Sequence, residues 1–197
     1  LPANLAQNCL ALAKFLAFEN ETRKYKIMKN LLLLAVAFII STAFVVLPGD
    51  DDQKGKQVPS VKITDMNGKT INTAELGNDG KPVVISFWAT WCSPCKRELN
   101  AIHDLYDEWQ EETGVKLIAV SIDDERTKSR VKPYINSSSW DFDIWMDTNH
   151  EFKRAMGVNN VPHTFLIDGK GNIVYSHNNY SPGDEDKLYK EILKLKN

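Results

Sequence analysis

Two of the three cysteines stand three positions apart, in the run Trp91-Cys92-Ser93-Pro94-Cys95-Lys96. A nearly continuous apolar stretch, Pro82 to Trp88 (PVVISFW), precedes them, and a helical pattern follows from Pro94. A helix that begins here leaves its first N–H groups without backbone partners and carries partial positive charge at that end. A cysteine at that point is stabilised as thiolate, the attacking species in thiol chemistry. The two intervening residues bring the second sulfur one turn later, within bridging reach. Pro94 fits an early helical position, where its missing N–H would have had no partner. On this reading Cys92 is the nucleophile at the mouth of the turn, and Cys95, further in, resolves the mixed disulfide.

Other uses of the pair explain less. Zinc needs four ligands, but there is no second CxxC, and the four histidines are dispersed at 103, 150, 163 and 177, so no metal is expected. A structural disulfide across so short a loop stabilises little through chain entropy. Two unrelated buried thiols would not need a strand-to-helix junction.

The elements that must position the pair are readable from periodicity. VKITDM alternates as a strand, Asn67-Gly68 signals a hairpin turn, and KTINTAEL returns as a strand ending in a short helical turn. PVVISFW reads as a buried central strand. Leu99, Ile102, Leu105, Tyr106 and Trp109 recur at three- and four-residue spacing, and Gly114 ends that helix. VKLIAVSID is the next buried strand, and residues 125–137 read as a polar helix turning Val131, Tyr134 and Ile135 inward. A short strand at Phe142–Met146, a helix near Asn149–Met156, a TFLID/NIVYSH hairpin and a terminal amphipathic helix over Asp184–Lys196 complete the order. Strands alternating with helices and closing on an antiparallel hairpin predict a mixed α/β sheet with helices on both faces.

Length and composition bound the rest. The 197 residues suffice for one domain, with 43% hydrophobic and 25% charged residues in an ordinary globular balance. A net charge of −2, with no dominant basic face, gives no reason to expect nucleic acid. Residues 31–47 (LLLLAVAFIISTAFVVL) carry no charge; Arg23, Lys24, Lys26 and Lys29 precede them, and Asp50, Asp51 and Asp52 follow. Such a run reads as a signal peptide or membrane anchor over 28–47 whose basic side stays cytoplasmic, so that everything after Pro48 is exported. Cleavage after Ala43 and retention as an anchor both remain open. Residues 1–27 have two readings: sequence upstream of a natural start at Met28, or an amphipathic cytoplasmic helix with Cys9 as a free thiol. Residues 48–59 read as a linker, and 60–197 as the folded domain.

FWATWCSPCKREL, followed about seventy residues later by GVNNVPHTFLIDGKGNIV, resembles the thioredoxin superfamily, specifically its exported TlpA/ResA-like branch. The resemblance spans about residues 58–197. It implies a thioredoxin fold, a central mixed β-sheet flanked by helices, with an added N-terminal hairpin (about 60–74) and a central strand-helix insert (about 123–146). It also implies reduction or exchange of disulfides in exported proteins, often in cytochrome c maturation. No cofactor beyond the redox disulfide is then expected. The implied partners are disulfide-containing substrate proteins and an upstream thiol electron donor, on the periplasmic side of the inner membrane. By position, Val161-Pro162 matches the family's cis-proline loop opposite the cysteines, where the Val161 backbone would bind an extended substrate. Glu98 matches an acidic residue that helps proton movement, against the alternative of a solvated helix residue. Trp91 is expected to shape the surface beside Cys92, and Ser93 and Pro94 to complete the loop.

Three positions depart from the pattern. Ser86 stands where thioredoxin has a buried Asp, so Glu98, water or substrate must move the Cys95 proton. His163 replaces a small Thr after the proline; it would bias Cys92 toward thiolate or narrow the groove. Asn100 replaces a frequent Pro. Two rival functions remain: a peroxiredoxin-like thiol peroxidase, opposed by the CxxC pair and the missing threonine-containing peroxidatic motif, and a non-catalytic binding module.

Overall fold

The computed structural model describes residues 53–196, with Arg23, Lys24 and Lys29. The expected apolar segment at 31–47, Cys9 and the proposed start at Met28 lie outside the described residues. The chain divides into residues 1–47 and 48–197, and the second unit carries everything that follows. Among the described residues, no helix is long and apolar enough to cross a membrane.

Strands β1 (Lys62–Asp65) and β2 (Thr70–Asn72) form the N-terminal hairpin. The central strand β3 (Val83–Trp88) is buried at every position and leads into α1 (Ser93–Thr113). Then come β4 (Lys116–Ser121), α2 (Val131–Ser138), β5 (Asp143–Met146) and α3 (Glu151–Ala155). The terminal hairpin β6 (His163–Ile167) and β7 (Ile173–Asn178) precedes α4 (Asp184–Leu193). The seven strands among the described residues make one mixed sheet in the order β2-β1-β5-β4-β3-β6-β7. β3 runs parallel to β4 and antiparallel to β6, which explains its continuous apolar character, since strands lie on both sides and helices cover both faces.

Alternation along β3 sorts the two faces. Phe87 turns to one side, against Phe165 and the α3 residue Phe152. Ser86 turns to the other, beside Thr164. That second face is covered by α1, whose buried residues Cys95, Glu98, Leu99, Ile102, Tyr106 and Trp109 keep helical spacing. Trp109 stacks on Tyr189 of α4, joining the two helices. Gly114 ends α1 in the left-handed conformation at φ 67°, which a residue without Cβ adopts at no steric cost.

Two local expectations are corrected. TAEL makes a turn but no helix. The expected helix over 125–137 begins only at Val131, after a 3-10 turn at Lys128–Arg130. Pro133 explains this: in a helix begun at 125 its missing N–H would leave the 129 carbonyl unpaired and its ring would clash there, whereas within the first turn of α2 it costs nothing. Residues 53–58, expected within the linker, lie along the β6–β7 hairpin through Gly55 N–H to Ile173 O, Val58 N–H to Gly171 O and Ile173 N–H to Lys56 O.

The β6–β7 turn is pressed on another loop. A Cβ built on Gly169 falls 1.7 Å from the Gly80 carbonyl oxygen, a backbone atom that cannot swing aside. Gly169→Ala should therefore destabilise the domain by about 1–3 kcal/mol, the range for overpacking. Thermal unfolding checks this, and an unchanged midpoint would refute the close approach.

Candidate active site

Cys92 is the N-cap of α1, in extended conformation at φ −89° and ψ 98°, and its sulfur accepts the Cys95 N–H at 3.3 Å. The Cys92 carbonyl accepts the Lys96 N–H. No acidic residue occupies the first turn of α1, so the positive end of the helix is left for the sulfur. The two sulfurs form a disulfide with Cα atoms 5.4 Å apart. Cys92 is 5% exposed and Cys95 is fully enclosed.

Opposite the pair, the Val161–Pro162 peptide bond is cis. The Val161 carbonyl oxygen lies 3.7 Å from Cys92 Sγ. Trp91, 58% exposed, stands at the rim, and the Ser93 hydroxyl accepts from the Arg97 guanidinium. Pro94 sits in the first turn of α1. His163 is buried and stacks on Phe165 at 4.3 Å between ring centres, on the sheet face that also carries Phe87. The structure thus groups it with that aromatic cluster and not with Ser86 and Thr164.

Glu98 is a buried residue, only 1% exposed, three positions after Cys95 on the same helix face. The Thr164 hydroxyl donates to its Oε1 at 2.8 Å, and Ser86 Oγ lies 3.4 Å from Oε2 and 2.9 Å from Thr164 Oγ1. His177 Nε2 also meets Oε1, at 2.8 Å. Thr164 and His177 were not singled out by sequence; they are a directly paired couple on β6 and β7.

A second buried carboxyl, Asp123 just after β4, also went unnoticed. It accepts the Thr90 N–H at 2.8 Å, the Thr90 hydroxyl at 2.6 Å and the Ser121 hydroxyl at 2.9 Å. Thr90 lies two residues before Cys92, so Asp123 ties the active-site loop to the central sheet. Its signal in the sequence was weak: an Asp at a strand end is ordinarily a turn residue. Among the described residues, no group of three or more His, Cys, Asp or Glu side chains is placed to hold a metal ion.

A bridged cysteine pair at a helix start, facing a cis-proline on a mixed sheet of this order, defines a thioredoxin-like thiol-disulfide oxidoreductase. The chain belongs to the AhpC/TSA family, whose pattern matches residues 54–176. It is 36% identical over 122 residues to the thiol-disulfide oxidoreductase ResA of Bacillus anthracis, covering 62% of this chain and 68% of that one. The ResA of Bacillus subtilis (strain 168) is 30% identical, with 77% and 83% covered. Among solved structures, an uncharacterized thioredoxin-like protein from Porphyromonas gingivalis is 46% identical with a TM-score of 0.65, covering 73% of this chain and 94% of that one.

Proposed function

We propose that the protein reduces or exchanges disulfides in exported proteins, those of cytochrome c maturation among them, on the outer face of a bacterial-type inner membrane. Residues 31–47 hold it there or are cleaved after export. The observation that carries the reading is the seat of Cys92 Sγ, capped by the first turn of α1 and 3.7 Å from the Val161 carbonyl beside Pro162. A substrate strand lying along Val161 brings its disulfide to that sulfur.

In the reduced enzyme the Cys92 thiolate attacks one substrate sulfur. The substrate S–S bond breaks, its far sulfur leaves and takes a proton, and a mixed disulfide remains. Glu98 accepts the Cys95 proton, and the Cys95 sulfur then attacks Cys92 Sγ. The second substrate sulfur departs and the Cys92–Cys95 bridge re-forms, two electrons having passed to the substrate. An upstream thiol donor restores the pair. No cofactor beyond the disulfide takes part in these steps.

Alkylation of the fully reduced chain tests this seat. At near-neutral pH Cys92 should react about five-fold faster than an unperturbed peptide thiol, its larger thiolate fraction exceeding its lower intrinsic nucleophilicity. Cys95 should stay unlabelled. A Cys92 rate no higher than the peptide's would remove the basis of the proposal.

A further inference from the structure

Glu98 is enclosed, and among the described residues its hydrogen-bond partners are Ser86, Thr164 and His177. Ser86 and Thr164 are fully buried hydroxyls. His177 differs from both. It comes from the far strand of the terminal hairpin, its side chain is 15% exposed, and its Nε2 lies 2.8 Å from Oε1. Its other ring nitrogen, Nδ1, is enclosed and makes no hydrogen bond. With a proton on Nε2, the ring directs that N–H at Glu98 Oε1.

We propose that His177 is a positioning residue for the exchange reaction: its Nε2–H holds the Glu98 carboxylate in the charged form that accepts the Cys95 proton. This rests on the reading of Glu98 given above. The step balances simply. The S–H bond of Cys95 breaks, its proton forms an O–H bond on Glu98, and the freed thiolate attacks Cys92 Sγ. The bond from Cys92 to the substrate sulfur breaks, and that sulfur leaves with the electron pair and is protonated from solvent.

The groups around the pair leave a clear window in which to see this. Tyr175 lies 5.8 Å from the His177 ring. Burial pushes its hydroxyl up, and burial with a hydrogen bond to Glu185 pushes Tyr180 up to about 12. Both tyrosines therefore stay neutral through the range tested. From α4, Asp184 is held below the usual carboxylate range chiefly by the Lys187 ammonium and keeps a fixed charge, as does Lys187.

The test follows the reduced full chain, with Cys9→Ser in every variant so that only the pair reacts, meeting an aromatic disulfide whose released thiolate absorbs visible light. The first release reports Cys92 attack, and the second reports Cys95 attack. In His177→Leu the acid limb of the second phase should move up by about one pH unit, about ten-fold slower at a fixed pH on that limb. The first phase should be unchanged. His177→Gln, which can place an amide N–H near the same point, should follow the wild type. Equal shifts in the two variants, or no shift in His177→Leu, overturn the proposal. Glu98→Gln separates the two readings. If it abolishes the limb while His177→Leu does not move it, only the role of His177 fails. If it leaves the second phase unaltered, the Glu98 reading fails and takes this one with it.

Discussion

Cys92→Ser should lose disulfide reduction to background, a fall on the order of 1,000-fold or more, as removal of a nucleophile does in other covalent enzymes. A serine hydroxyl at the α1 N-cap can still accept the Cys95 N–H, so the fold should persist while the chemistry stops. Cys95→Ser should behave in the opposite way. Its Cys92 still attacks, but nothing behind it releases the captured chain, so mixed disulfides with substrate proteins accumulate. Non-reducing electrophoresis followed by mass spectrometry reads both variants. Full turnover by Cys92→Ser, or no covalent adducts with Cys95→Ser, would reverse the assigned roles.

The second large effect is expected at Asp123, which touches neither sulfur. Its two oxygens accept three hydrogen bonds, and the residue is fully buried. Asp123→Ala would remove the acceptor of the half-buried Thr90 N–H and hydroxyl and leave the buried Ser121 hydroxyl without it. The cost should be about 3 kcal/mol, since three hydrogen bonds to a charged acceptor are lost and the buried donor loses its solvation uncompensated. For a domain of this size that lowers the unfolding midpoint by about 6–12 °C. Ser121→Ala, which removes one donor to Asp123 and also the acceptor of the buried Asp123 N–H, should cost about 1–2 kcal/mol. Calorimetry on both variants decides the matter, and an Asp123→Ala midpoint within about 2 °C of the parent would show that the loop does not depend on this carboxyl.

The order of strands and helices, the buried character of β3 and the placement of Cys92 and Cys95 were legible in the chain because each rests on local pattern. Helical spacing from Leu99 to Trp109 marks α1, and Gly114 marks its end. The 125–137 segment was misjudged because apolar spacing outweighed Pro133, a single residue that decides where a helix can begin. The environment of Glu98 was hidden for a different reason. Ile167 pairs with Ile173, and a regular hairpin counted back from that pair sets Thr164 beside Ser176 and His177 beside His163. A register shift between Leu166 and Ile167 moves β7 by one residue and pairs Thr164 with His177 instead. Because side chains alternate across a strand, that one-residue slip carries the imidazole from the Phe87 face to the Glu98 face. No composition or motif announces such a bulge.

The hairpin β1–β2 and the strand β5 belong to separate stretches of chain, yet among the described residues β1 pairs with β2 and β5, and β5 in turn pairs with β4. These two additions to the thioredoxin core are therefore one accessory module in architectural terms. Trimming the hairpin alone would bare the backbone edge of β5, and excising β5 alone would orphan the hairpin, so a lineage shedding either would be pressed to shed both.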